Sequence, residues 1–213
     1  MAEELGLRER KKRETRQRIA DVAMGLFMIR GFDQTTVADI AEAADVSVNT
    51  VFNYFKTKED LFFDRQDVAV QSLGRVVASR REGESIVEAL RRDFHEALDE
   101  RDWRYGIVNG AGDFYEMVMA SPALRGRMRE MHELRKGYLA QVLAEETDAD
   151  PDDPVPRFVA AQVVALTQAI SGEYLRRLRA GESYVVILPS VRVAADRGFD
   201  LLKSGIGNYP EPT

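Results

Sequence analysis

The 213-residue sequence predicts an all-α protein with a small N-terminal unit and a larger C-terminal one. Three observations predict it. Apolar residues recur at helical spacing over most of the chain. Thr36 and Thr57 open segments with Asp three residues on, the pattern of a reciprocal helix cap. Segments that resemble strands, Asp45–Phe55 and 184–188, stand alone, and an unpaired strand is not stable.

From Arg16, the positions Ile19, Val22, Ala23, Leu26 and Phe27 form one helix face, and Gly31 supplies a stop. Thr36 with Asp39 opens a second helix, whose inner face is Val37, Ile40, Ala41 and Ala44. The stretch "DVSVNTVFNYF" is rich in β-branched and aromatic residues. With Ser47 as N-cap it becomes a third helix, on which Val51, Tyr54 and Phe55 share one side with Val48 and Phe52 close by. Packing then overrides the β-propensity of Val48, Thr50 and Val51. Two short helices on a tight turn make a helix-turn-helix. Beyond it helices are predicted over 58–80, 84–101, 103–119, 122–147, 154–180 and 184–204. Pro189 either interrupts the last of these or begins its main part.

Composition bounds the function classes. With 45% hydrophobic and 31% charged residues the chain is ordinary for a globular protein. No apolar run is long enough to span a membrane, and the basic start lacks a secretory core. No cysteine is present, which excludes disulfides and thiolate chemistry and suits a cytoplasmic location. His95 and His132 stand apart from any metal or triad spacing, and no glycine-rich phosphate loop occurs. An enzyme is therefore not expected, nor a cofactor or metal. The net charge of −6 speaks against nucleic acid only on average. Between Arg8 and Arg18 seven basic residues face Glu9 and Glu14, a local excess of five.

The segment "TTVADIAEAADVSVNTVFNYFKTKEDLFF" resembles the DNA-binding signature of the TetR family of bacterial transcriptional regulators. The likeness covers about residues 14–63: the Thr-initiated second helix, the "VS" before the third, its closing aromatic pair, and "KEDL" opening the fourth. It departs from the family at Asp45 and Asn49, where glycine is common, and at Phe52, where tyrosine is. Asp tolerates a left-handed backbone, so the turn at Asp45 is expected to survive. The resemblance implies a helix-turn-helix DNA-binding domain at residues 1–57 and an effector-binding and dimerisation domain at 58–213. It further implies double-stranded DNA with a palindromic operator as partner, a homodimer through the last two helices, and an apolar or amphipathic small-molecule effector.

Short polar side chains near a helix start read base edges in the major groove. Val48, Asn49, Thr50 and Asn53 are the candidates for that role. Thr36, Ser47, Tyr54 and Lys58 are candidates for the phosphate backbone, Tyr54 and Lys58 by resemblance. The basic 8–18 run is expected to add salt-sensitive affinity. Trp103, Tyr105, Phe114, Met117, Met131 and Gln168 are candidates for an effector pocket, with Asn109 and His132 as further polar anchors. In the last two helices, Phe158, Ala161, Gln162, Ala165, Leu166, Ala169 and Gly172, then Val191, Ala194, Ala195, Phe199 and Leu202, suit either an interface or an internal core. Periodicity does not separate the two; the resemblance implies the interface. The function expected is a ligand-responsive repressor, with a constitutive or architectural helix-turn-helix protein as the alternative.

Overall fold

The computed structural model describes residues 2–206, so the outermost ends of both expected domains lie outside it. Ten α-helices and one 3-10 turn make up the described chain, without a strand. It divides into two compact units: residues 1–66 with 117–127, and 67–116 with 128–213.

The first unit is built on α1 (Ala2–Arg30), α2 (Val37–Ala43), α3 (Val48–Tyr54) and α4 (Lys58–Phe62). Its α1 starts far ahead of Arg16 and carries the whole basic run as helix. Arg, Lys and Glu are good helix formers, and Arg10 pairs with Glu14 one turn on, at 3.6 Å. The inward stripe of α1, Ile19, Ala23 and Phe27, is fully buried. Phe27, Phe32 and Phe62 form a triangle of rings with centroids 5.0–5.9 Å apart. Such tilted and edge contacts add to the area that the rings remove from water.

The second unit holds nearly all of α5 (Gln66–Ala78), α6 (Ile86–Glu100), the 3-10 turn Trp103–Tyr105, the first part of α7 (Ala111–Ala120), most of α8 (Pro122–Thr147), α9 (Val155–Arg179) and α10 (Tyr184–Ile206). Where one helix was expected over 58–80 there are two. Leu61, Phe62 and Phe63 are all buried. At 3.6 residues per turn, three consecutive side chains fan over about 200°, more than one helix face. The chain therefore turns after Phe62. Where one helix was expected over 103–119, Gly106 and Gly110 take φ of 68° and 85°, and α7 begins only at Ala111. Residues 184–188 are helical. Pro189 lies inside α10, and the carbonyl its missing N–H would have bonded belongs to Val185, which is 77% exposed.

Close crossings fix this unit. A side chain at Gly74 of α5 would stand 2.6 Å from the Tyr138 ring of α8, and one at Gly198 of α10 would collide with Leu166 of α9. Four of the five α10 residues that suited either an interface or a core, Val191, Ala195, Phe199 and Leu202, are buried within the subunit. The uncovered side of α10 carries Val186, Val193, Ala194 and Leu201 instead. On α9, by contrast, Phe158, Ala161, Gln162, Ala165, Ala169 and Gly172 are all exposed, at three- and four-residue steps, and only Leu166 is tucked in.

Candidate nucleic-acid interface

The turn between α2 and α3 closes as a Schellman motif. The N–H of Val46 donates to the Ala41 carbonyl (3.0 Å) and that of Asp45 to the Glu42 carbonyl (3.1 Å). This geometry needs a left-handed residue, and Asp45 supplies it with φ 52°. Both expected capping boxes are present: Thr36 with Asp39, and Thr57 with Asp60. Ser47 caps α3 by accepting from the Thr50 N–H (3.0 Å), and its oxygen lies 2.8 Å from the Thr50 hydroxyl.

Burial divides α3 cleanly. Val51 and the following Phe55 are sealed inside, and the Arg16 guanidinium lies over the Phe55 ring at 4.5 Å. Arg16 also donates to the Asp64 carbonyl (3.0 Å), so this member of the basic run braces the fold. Arg8, Arg10, Lys11, Lys12, Arg13 and Arg18 remain exposed. Outward, Val48, Asn49, Phe52 and Asn53 form one uncovered side, with Thr50 and Tyr54 half-buried at its margins. Phe52, half exposed, was not among the candidates. Its place four residues from Val48, away from Val51, was the available signal.

The backbone candidates are placed differently from one another. Thr36 is exposed, but its hydroxyl donates to Asp39 (2.6 Å). Those Thr36 hydrogen bonds hold the Asp39 carboxyl below its usual range, so it is ionised at neutral pH. Lys58 donates to the carbonyls of Phe32 (3.0 Å) and Thr35 (3.1 Å), and its ammonium sits 4.2 Å above the Phe32 ring. Two of its three protons are thereby used in closing the α1–α2 loop. Asp60, nearly buried, accepts from the Thr57 N–H and from Arg127 (2.7 Å), which ties the start of α4 to α8 within the same unit.

Of the effector candidates, Trp103 and Tyr105 share the 3-10 turn, and Phe114, Met131 and Gln168 are half-buried in the second unit. Met117 falls in the first unit. Tyr105 is buried and donates to Asp93 (2.8 Å). Burial pushes its hydroxyl well above the usual tyrosine range, so it stays protonated. Among the described residues no group of three His, Asp or Glu side chains could hold a metal ion, and no helix is long and apolar enough to cross a membrane.

A capped pair of short helices, the second with a bare polar side, defines a helix-turn-helix protein of the DNA-binding kind. Residues 19–64 match the family described as bacterial regulatory proteins, tetR family, and residues 84–191 match the MftR C-terminal domain. The chain is 32% identical over 176 residues to the HTH-type transcriptional regulator TcmR of Streptomyces glaucescens, covering 81% of this chain and 78% of that one. It is 32% identical over 88 residues to the HTH-type transcriptional repressor KstR2 of Rhodococcus jostii, 39% of this chain and 43% of that one. The solved structure of NalD from Pseudomonas aeruginosa shares the fold, with TM-score 0.56 and 20% identity over 87% of this chain and 97% of that chain. The protein belongs to the TetR family of bacterial transcriptional regulators. Its relatives are regulators, not enzymes.

Proposed function

We propose that this regulator is a ligand-responsive repressor that acts in the cytoplasm as a homodimer on a palindromic operator. The single observation that carries the reading is the uncovered side of α3: Asn49 and Asn53 one turn apart, flanked by Val48 and Phe52, with none of the described residues folded over them. Asn presents a paired donor and acceptor that match adenine, and Val48 suits a thymine methyl. Thr50, at the margin of this side, adds its methyl or hydroxyl to the base contacts, and Ser47 and Tyr54 border it and hold the phosphates. Thr36 and Lys58 join them by exchanging an internal hydrogen bond for a phosphate. The exposed cations of α1 add sequence-independent affinity, and removing residues 1–13 flattens the dependence of binding on salt. An unchanged salt slope would remove the arm from the interface.

One helix-turn-helix reads few base pairs, so specificity calls for two copies about 34 Å apart. The exposed apolar stripes of α9 and α10 support a two-fold pairing, because contiguous apolar surface is otherwise costly to leave in water. Repression is supported by the name of the Rhodococcus relative and needs only steric occlusion of a promoter. The C-terminal unit would bind an effector among Trp103, Phe114, Met131 and Gln168, with the buried Tyr105 contributing only if it moves. The effector acts by binding one spacing of the recognition helices better than the other.

Selection of bound sites from random duplex DNA by the purified protein tests the central claim. The expected product is a palindrome; recovery of no preferred sequence overturns it. A ligand that raises the melting temperature distinguishes a sensing repressor from a constitutive helix-turn-helix protein.

A further inference from the structure

Arg135 of α8 is half-buried, with part of its guanidinium enclosed inside the C-terminal unit. Its Nη2 donates to the Ser72 hydroxyl of α5 at 3.1 Å, and its enclosed Nε has no hydrogen-bond partner. Among the described residues no carboxylate reaches it within ion-pair distance. The nearby interior carboxylate is already engaged: Asp93 accepts from the Tyr105 hydroxyl and lies 3.3 Å from Arg104 Nε. Arg104 is further bound to Asp102 at 2.9 Å, so that group of charges closes on itself. Arg135 feels Tyr105 and Asp93 only through space, and burial pushes its guanidinium below the ordinary arginine range.

A guanidinium N–H enclosed without a hydrogen-bond partner is costly to hold in a folded chain. Arginine has five donors in a planar fork shaped for a carboxylate, and the Ser72 oxygen takes one of them. One turn back on α8, His132 is kept below its usual pKa first by burial and then by Arg135 itself. It is thus neutral at pH 7, with ring nitrogens able to hydrogen-bond a ligand without adding charge. Leu73, next in the chain to Ser72, and Leu139, one turn beyond Arg135, belong to the buried apolar core of the same unit, which suits a ligand with an apolar body.

We infer that Arg135, with Ser72 and His132, is the anion-recognition point of the C-terminal unit, and that the effector is an organic carboxylate on an apolar frame. This rests on the effector reading above and specifies its chemistry. The uncompensated charge is then a functional cost, removed when ligand binds.

The test uses the full-length protein and two matched pairs of probes: decanoate with methyl decanoate, and 2-naphthoate with methyl 2-naphthoate. The acids are expected to raise the melting temperature more than their esters, corresponding to at least about tenfold tighter binding. In Arg135→Met that preference disappears, while the unliganded variant melts no lower than the parent. Ser72→Ala, which keeps the charge, retains the preference and binds the acids several-fold more weakly. Acids and esters that act equally on the parent protein overturn this inference and leave the effector reading standing. An Arg135→Met protein that melts well below the parent also overturns it, since the arginine is then part of the frame. If no probe of either kind shifts the melt, the carboxylate inference falls, and the effector reading stands or falls on the wider ligand screen.

Discussion

Helices α3 and α9 each bury one side and leave the other bare, and what is left bare differs. On α3 the uncovered residues are Val48, Asn49, Phe52 and Asn53, two amides set among two apolar groups. On α9 they are Phe158, Ala161, Gln162, Ala165, Ala169 and Gly172, mostly small. Amides with hydrogen bonds to give suit a surface that offers donors and acceptors at fixed positions, as base edges do. Small residues at helical steps suit a second helix approaching closely. The comparison teaches that exposure alone does not name a partner; the chemistry of the exposed side does.

The largest expected effect breaks the α9 half of the comparison. In the proposed dimer, Ala165→Glu would set like charges on the facing α9 stripes against each other, a juxtaposition that costs several kcal/mol. The expected outcome is a monomer in sedimentation at micromolar concentration and operator affinity at least about a hundredfold lower. A dimer of unchanged stability would remove α9 from the interface. Asn53→Ala bears on the α3 half. It should cost about 1–3 kcal/mol of operator binding and relax preference at one base pair, read by repeating the site selection. Equal affinity and an unchanged site would strike Asn53 from the reading set.

Acid tests the frame that presents α9. Glu84 accepts from Arg92 (2.8 and 3.0 Å) and from the Arg81 N–H (2.9 Å), contacts that pull its carboxyl from 4.5 to about 2. A carboxyl depressed in the folded state contributes stability above its unfolded value and loses it as pH falls through the folded one. Denaturant unfolding should therefore show stability draining away between about pH 5 and 2, less steeply in Glu84→Gln. Identical acid profiles would mean the pair contributes nothing in solution. The smallest effect concerns the turn that aims α3. Glycine holds the left-handed backbone without the strain that Asp45 bears, so Asp45→Gly should raise stability by about 0.5–1 kcal/mol and leave the selected site unchanged. Destabilisation would show that the Asp side chain contributes more than the backbone strain costs.

Much of the DNA-binding unit was legible because its signals are local. A cap joins residues three apart, a left-handed turn concerns one residue, and the alternation of α3 was resolved by the burial of Val51 and Phe55. The candidate site was legible where exposure follows from helical spacing, as for Asn49 and Asn53. It was illegible where a side chain has a choice of partners. Thr36 turns to Asp39, Lys58 to two carbonyls and a ring, Arg16 to Phe55, and none of these pairings is written in the spacing of the chain. The glycines that break residues 103–119 were visible, but their backbone angles were not.

By itself the sequence determined the helical class, the caps, the helix-turn-helix and the stripe of small residues on α9, because each depends on neighbours within a turn or two. Packing across the chain set which side of α10 faces inward, that Leu61–Phe63 force a turn, and that the Arg135 Nε is enclosed without a hydrogen-bond partner. Those outcomes depend on side chains tens of residues away competing for the same interior, and a periodic pattern records that a face is apolar without recording what will cover it.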